Sequence, residues 1–406
     1  MSDDRGLVVV GASAVMTCVD GASGLGIVER AAVVVDGERI AWVGPEDALP
    51  DAAAPLRRVD AHGGLVTPGL VDAHAHPIFG GARAGEFAQR ARGATYLEIA
   101  AAGGGIRSTV EATRAASDDA LLASARVRLG RALAAGTTTM EAKTGYALTV
   151  DGELRLLGLY ARLAAPDLPT LVPTLLGAHV VPPEFSHDRA AWVAACAGPM
   201  LAGARGLAHA VDVYCDEGAF TLEETRQILG AASAAGFEVR AHAGQFVDLG
   251  AAGLVARLGG LSADHLEAVS EEQADAMARE GTVATLLAGA CVQLRRPVPP
   301  VAMMRAAGCA FALGTDLNPG SSMSESLPVQ MWLATTHLGL TVEEAWLGVT
   351  RVAARAAGRR TAGRVLPGAP ADLVIWDVVD YATVPYHYAT DHVRTVIRSG
   401  VPVRTT

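Results

Sequence analysis

Short apolar runs punctuated by turn residues occupy both ends of the chain, and between them apolar runs alternate with amphipathic Ala- and Leu-rich segments of helical length. Near the start, residues 7–10, 31–35 and 40–43 are β-like, and Asp36-Gly37 between the last two is a strong signal for a two-residue hairpin turn. The same texture returns at residues 371–376 and 393–398, separated by a polar stretch containing Pro385. The two β-rich ends are expected to pair into one small β-sandwich-like domain made of residues 1–66 and 361–406.

Residues 67–360 follow a different rhythm. Strand-like runs at 70–76, 137–143, 171–179, 210–215, 238–242, 261–265, 282–287 and 311–316 are separated by amphipathic helices, clearest at 117–135, 188–204, 221–235, 247–258 and 341–357. Eight strands close a parallel barrel, and near-continuous apolar strands are what burial on both faces requires. The expected fold class is α/β, a (β/α)8 TIM-type barrel carrying the small terminal domain. A doubly wound sheet would place a glycine-rich phosphate turn after its first strand, but Gly103-Gly104-Gly105 lies well past that strand with no strand directly before it.

Composition narrows the class. With 406 residues, 50% hydrophobic and 19% charged, the chain can bury a barrel and a satellite. The formal charge of −10 is spread without long runs of one sign, which argues against a nucleic-acid groove and means that an anionic substrate needs its own local cation. Five dispersed cysteines without a Cys-x-x-Cys pair indicate neither a disulfide framework nor a thiolate zinc site, and a reducing cytoplasm fits. The N-terminus lacks a signal-peptide pattern, and Arg126, Arg128 and Arg131 interrupt the most Ala/Leu-rich stretch, so no membrane span is expected.

Barrel enzymes carry their chemistry where strands end and eight loops meet. His74 and His76 stand two apart at the end of the first run and share a face. With His242 and Asp316 at the ends of the fifth and eighth runs they form a His3Asp set that leaves room for water, a catalytic rather than a structural pattern. One divalent Zn or Fe ion held there would bring its water's pKa near neutrality, with Asp316 also taking the water's proton and passing it to a leaving nitrogen. His265, ending the sixth run, is expected to polarise a carbonyl or stabilise an oxyanion, while its neighbour Asp264 is expected to pack outside the barrel. His179 is read either as a substrate contact or as a group behind the contacts. Arg83, in the loop after the first run, is either a carboxylate clamp or an ordinary surface arginine.

Several separate blocks share a pattern: residues 67–81 (Thr67-Pro68-Gly69 through Gly80-Gly81), Gly93-Ala94-Thr95-Tyr96, Gly103-Gly104-Gly105-Ile106, residues 141–148 with Lys143-Thr144-Gly145-Tyr146, Leu176-Gly177-Ala178-His179, residues 261–267, and Thr315-Asp316-Leu317-Asn318-Pro319-Gly320-Ser321. Across residues 66–377 the chain resembles the amidohydrolase superfamily and, within it, the imidazolonepropionase family of histidine degradation. The resemblance implies one Zn or Fe on His74, His76, His242 and Asp316 and hydrolytic opening of 4-imidazolone-5-propanoate to N-formimidoyl-L-glutamate. It also implies substrate contacts from Arg83, Tyr146, His179, Gln245 and Ser321, with Asn318 and Gly320 helping to hold the product's carboxylate and Tyr96 as a further wall of the substrate-binding pocket. The implied partner is a small anionic heterocycle, with a homodimer as the habit of such barrels. Binuclear relatives bridge two metals with a carboxylated lysine, but Lys143 falls in the mononuclear family's own block and is not assigned to metal. Two stretches depart from the pattern, Ala243-Gly244-Gln245-Phe246 and Ala288-Gly289-Ala290-Cys291-Val292. They leave open a paralogue that opens or deaminates another five-membered ring, such as a hydantoin-like or thio-substituted acid. A non-catalytic scaffold is disfavoured because every proposed ligand is present.

Overall fold

In a computed structural model, residues 6–19, 24–94, 98 and 103–405 are described. Eight parallel strands lie side by side in chain order: Leu70–Asp72, Thr137–Lys143, Thr170–Ala178, Ala210–Cys215, Glu238–Ala243, Ser262–His265, Val283–Leu286 and Phe311–Leu313. The first and eighth are stitched together at the mouth. Ala73 N donates to Leu313 O (3.3 Å), Asp316 N to His74 O (2.9 Å) and His76 N to Leu317 O (3.0 Å), so the sheet closes into the (β/α)8 barrel that the apolar pattern predicts. Gly314 permits this closure, since a Cβ there would lie 2.7 Å from that of His74.

Helices return the chain between strands, and their starts follow local chemistry. Ser117 caps Asp118–Ala134 by accepting from Ala120 N, and Thr221 with Glu224 and Thr341 with Glu344 form reciprocal capping boxes. Three expected helices are shorter or divided. Residues 188–204 break into Arg189–Ala197 and Pro199–Ala204, because the residue before a proline is pushed out of the helical region and Gly198 adopts φ −127°, ψ −96°. Residues 341–357 break into Val342–Gly348 and Arg351–Ala356 around Thr350, which sits at φ −131°, ψ −110°. Residues 247–258 yield only Ala251–Arg257, as the Asp248 carboxylate takes the Gly250 N–H (2.8 Å) and Gly250 turns to φ +89°. Among the described residues no helix is long and apolar enough to cross a membrane.

The terminal strands form two sheets. Arg39–Pro45, Ala31–Asp36, Gly6–Val10 and Arg57–Asp60 make the first. The second joins both termini, in the order Val401–Thr405, Val393–Arg398, Leu373–Trp376, Leu65–Pro68, Ala14–Met16 and Ile27–Glu29. Val9 and Val33 of one sheet share a core with Val66, Leu373, Ile375 and Ile397 of the other, which gives the sandwich-like packing. The expected hairpin at Asp36-Gly37 is present, with Gly37 at φ +55°. Leu65–Pro68 runs through Gly69 directly into the first barrel strand, so the terminal sheet anchors the base of the strand that leads to His74.

The fully buried Asp72 carboxylate reinforces the barrel seam, accepting from Thr315 Oγ1 (2.6 Å), Thr315 N (3.0 Å) and His74 N (3.2 Å). Asp72→Ala strands two buried N–H groups and is expected to lower unfolding stability by about 2–5 kcal/mol, read as a fall in the urea midpoint. An unchanged midpoint would show that the seam does not depend on this carboxylate.

Candidate metal centre and substrate pocket

Barrel closure sets the ends of the first and eighth strands side by side, with His242 across from them on the fifth. One ring nitrogen from each of His74, His76 and His242 lies within 4.8 Å of the others. Asp316 Oδ1 sits 3.5 Å from His74 Nε2 and 3.7 Å from His76 Nε2. Behind this cluster, His74 Nδ1 is 2.7 Å from Asp264 Oδ2 and His242 Nδ1 is 3.1 Å from Asp212 Oδ1. A carboxylate only accepts, so each Nδ1 carries the proton and each Nε2 presents a lone pair.

His74 Nε2 is buried without a hydrogen-bond partner among the described residues, an orphan that a cation would satisfy. Burial above all, and then nearby cationic groups, hold His74, His76 and His242 well below the ordinary imidazole pKa, which keeps them neutral as ligation requires. The donor set of imidazoles and a carboxylate therefore fits a divalent metal.

Asp264 corrects the sequence expectation. It points into the barrel, not outside it, on the strand face it shares with Ser262, whose Oγ donates to Asp264 Oδ1 (2.6 Å), and it is His265, at φ +80°, that leaves the strand alternation. Both side chains thus serve the interior, Asp264 from within the strand and His265 from the left-handed turn at its end. His265 Nδ1 stands 3.7 Å from Glu267 Oε1. Burial opposes charge on its ring, but Glu267, together with Asp316 and Asp264, outweighs burial and raises the pKa.

Between the metal cluster and solvent lies one pocket, lined by His76, Arg83, Tyr146, His179, His242, Gln245, His265, Asp316, Asn318, Gly320 and Ser321. Tyr96, expected as a further wall, lies outside the described residues. The His179 ring stacks on His76 (centroids 5.4 Å apart, 16° between planes), and its Nδ1 donates to Gly145 O (3.0 Å), leaving Nε2 as an acceptor. Burial pushes the His179 pKa down to about 4. Burial, then Asp316, raises the Tyr146 phenol, which stays a donor.

Arg83 donates from Nε to Glu86 Oε2 (2.9 Å) with its Nη2 2.8 Å from the same oxygen, and its Nη1 packs so closely on Gly320 that a Cβ there would lie 2.3 Å away. Asn318 is spent on its own loop: Oδ1 accepts from Gly320 N and Ser321 N (both 2.8 Å), and Nδ2 donates to Asp316 O (2.6 Å). In the first of the two stretches that depart from the family pattern, Gln245 lines the pocket, while Gly244 answers a backbone demand, since at φ +66° its Cβ would meet Ala268 O at 2.0 Å.

The amidohydrolase family model matches residues 85–404. The chain is 45% identical over 388 residues to the imidazolonepropionase of Paracoccus denitrificans, an alignment covering 95% of this chain and 97% of the relative. The chain belongs to the imidazolonepropionase family of amidohydrolases. A second member, from a Polaromonas species, is 46% identical over 375 residues, covering 91% of this chain and 88% of its own. In fold it is similar to an atrazine chlorohydrolase from Arthrobacter aurescens TC1 solved with zinc (TM-score 0.72, 18% identity, covering 98% and 95% of the two chains). An N-isopropylammelide isopropylaminohydrolase from Burkholderia multivorans is equally similar in fold (TM-score 0.70, 19% identity, covering 98% of each chain). Amidohydrolases work with a divalent metal, and the histidine cluster described above is able to hold one.

Within this imidazolonepropionase-family site, several residues were not singled out from sequence. Tyr214 lines the pocket and donates to Gln245 Oε1 (2.8 Å), which leaves the amide nitrogen of Gln245 for other partners. Arg90 also lines it and donates to Gly320 O (2.9 Å). Glu153 is fully buried and accepts from Gly145 N (2.7 Å), Ala147 N (2.8 Å) and Leu148 N (2.7 Å), clasping the loop that carries Tyr146. Their signal was faint: Glu153 reads as an ordinary acidic residue in a helix's first turn. Glu153→Ala leaves three buried N–H groups unpaired, each costing about 1–3 kcal/mol, so a clear fall in the thermal midpoint is expected. A midpoint equal to that of the unaltered protein would rule out this clasp.

Proposed function

We propose that this protein hydrolyses 4-imidazolone-5-propanoate to N-formimidoyl-L-glutamate, the ring-opening step of histidine degradation. The observation that carries the reading is one pocket that has a His3Asp cluster at its floor and the Arg83 guanidinium beside Gly320 in its wall. Relatives about 45% identical over most of the chain, named imidazolonepropionase, support it. His74, His76, His242 and Asp316 would hold one Zn or Fe ion, since imidazole and carboxylate suit both. When bound, such an ion supplies Lewis acidity that brings the pKa of water toward neutrality.

The side chains do the rest. Burial pushes the carboxyl of Asp316 up to about 6 before any cation is bound, and Ser321 Oγ donates to its Oδ2 (3.1 Å). Water oxygen adds to the ring carbonyl carbon, the bond from that carbon to the adjacent ring nitrogen breaks, and Asp316 returns the proton to the departing nitrogen. His265 faces the carbonyl as it gains charge, with Glu267 holding its ring. His179 Nε2 accepts from a ring N–H, and Tyr146 closes the adjacent wall. Arg83 takes the propanoate carboxylate; Gln245, Asn318, Gly320 and Ser321 line the remaining side.

Freshly generated 4-imidazolone-5-propanoate given to the metal-loaded protein is expected to yield N-formimidoyl-L-glutamate without ammonia. No turnover by protein with measured metal, or release of ammonia, would overturn the reading. Arg83→Ala is expected to raise KM about 10- to 100-fold, as loss of one charged hydrogen-bonding partner implies, while leaving metal content unchanged.

A further inference from the structure

Beneath the metal cluster, on the side away from the pocket, the barrel interior holds charged side chains that the proposed reaction does not use. Lys143, at the end of the second strand, is fully buried. Its Nζ donates to Asp212 Oδ2 (2.6 Å), Glu141 Oε1 (3.2 Å) and Asp264 Oδ2 (3.5 Å), one acceptor for each of its three hydrogens. Two of those acceptors are the carboxylates that hold His242 and His74 by their Nδ1–H groups.

The remaining neighbours extend the same scaffold. Arg240 Nη1 lies 2.8 Å from Glu141 Oε1, and Arg240 Nη2 donates to Ser262 Oγ (2.8 Å), which donates to Asp264 Oδ1 (2.6 Å). The second strand also grips the residue between the first two ligands, with Lys143 N donating to Ala75 O (2.9 Å).

We infer that Lys143 is the positioning residue of the metal centre: its ammonium fixes Asp212 and Asp264, which in turn fix the tautomer and direction of His242 and His74. A carboxylate free to rotate can offer its acceptor elsewhere, and the imidazole it holds then loses its aim; outer partners of this kind typically contribute 10–100-fold to metal affinity. A carboxylated Lys143 would bring a further negative charge against three carboxylates, so the structure assigns this lysine to cationic support and not to ligation. The inference rests on the proposed metal centre but not on the identity of the substrate.

The test is the affinity of the metal-free full-length protein for Zn2+ alone, by competition with a chromogenic chelator, alongside two-bond proton–nitrogen spectra of 15N-histidine-labelled protein. The unaltered protein is expected to bind one ion and to show His74 and His242 as Nδ1–H tautomers. Lys143→Met is expected to weaken binding 10- to 100-fold and to mix those tautomers. In combination with Asp212→Asn its effect should be clearly less than the product of the two single effects, because both act along one chain of contacts. If Lys143→Met fails to fold, Asp212→Asn alone is expected to weaken binding at least tenfold and to mix the His242 tautomer. Unaltered affinity and tautomers in the folded Lys143→Met protein, or in Asp212→Asn where only that variant folds, overturn the inference while leaving the metal centre standing. An unaltered protein that binds no Zn2+ overturns both.

Discussion

Charge buried beneath the barrel mouth has to be neutralised where it lies, and that constraint organises the site. Glu141, Asp212 and Asp264 cannot reach water, so Lys143 and Arg240 meet them inside the barrel. Burial alone would push the Lys143 amine and the Asp264 carboxyl toward neutrality. The opposing charges outweigh it, raising the former and lowering the latter. The ion pairs then do geometric work, because each carboxylate oxygen they hold is an acceptor at a known place for an imidazole.

Left-handed backbone recurs at the strand ends that face the pocket. Asp316, His265 and Leu266 adopt φ of +49°, +80° and +69°, a region that side chains other than glycine rarely enter. Such residues persist only where their surroundings over-determine them. Here the seam bond from Asp316 N to His74 O and the bond from Leu266 N to Ala243 O do so. Two ionisable side chains, Asp316 and His265, are thereby turned over the mouth.

The barrel was legible because strands buried on both faces must be apolar throughout, and its eight runs stand out between amphipathic helices. The strand-end histidines were legible because His74 and His76 share a face by strand periodicity. The direction of Asp264 was not, since the expectation aimed His265 inward by strand alternation, whereas alternation aims Asp264 inward and His265 reaches the mouth only through a left-handed turn that nothing in a linear pattern announces. Nor was the division of the helices at Gly198 and Thr350, although Pro199 offered a local reason for the first. The Lys143 network joins residues 141 to 264 and was not read from the sequence, although its members are charged residues set inside otherwise apolar strands: Glu141, Lys143, Asp212, Arg240 and Asp264. Such residues contradict burial unless they compensate one another.

The proposed function requires distant strand ends to converge on one divalent cation. X-ray absorption at the metal edge of the purified protein tests it most directly. The expected spectrum shows one ion per chain with imidazole nitrogens and a carboxylate oxygen at roughly 2.0–2.2 Å and no sulfur neighbour. An ion ligated by cysteine sulfur, or a spectrum without imidazole scattering, would contradict it.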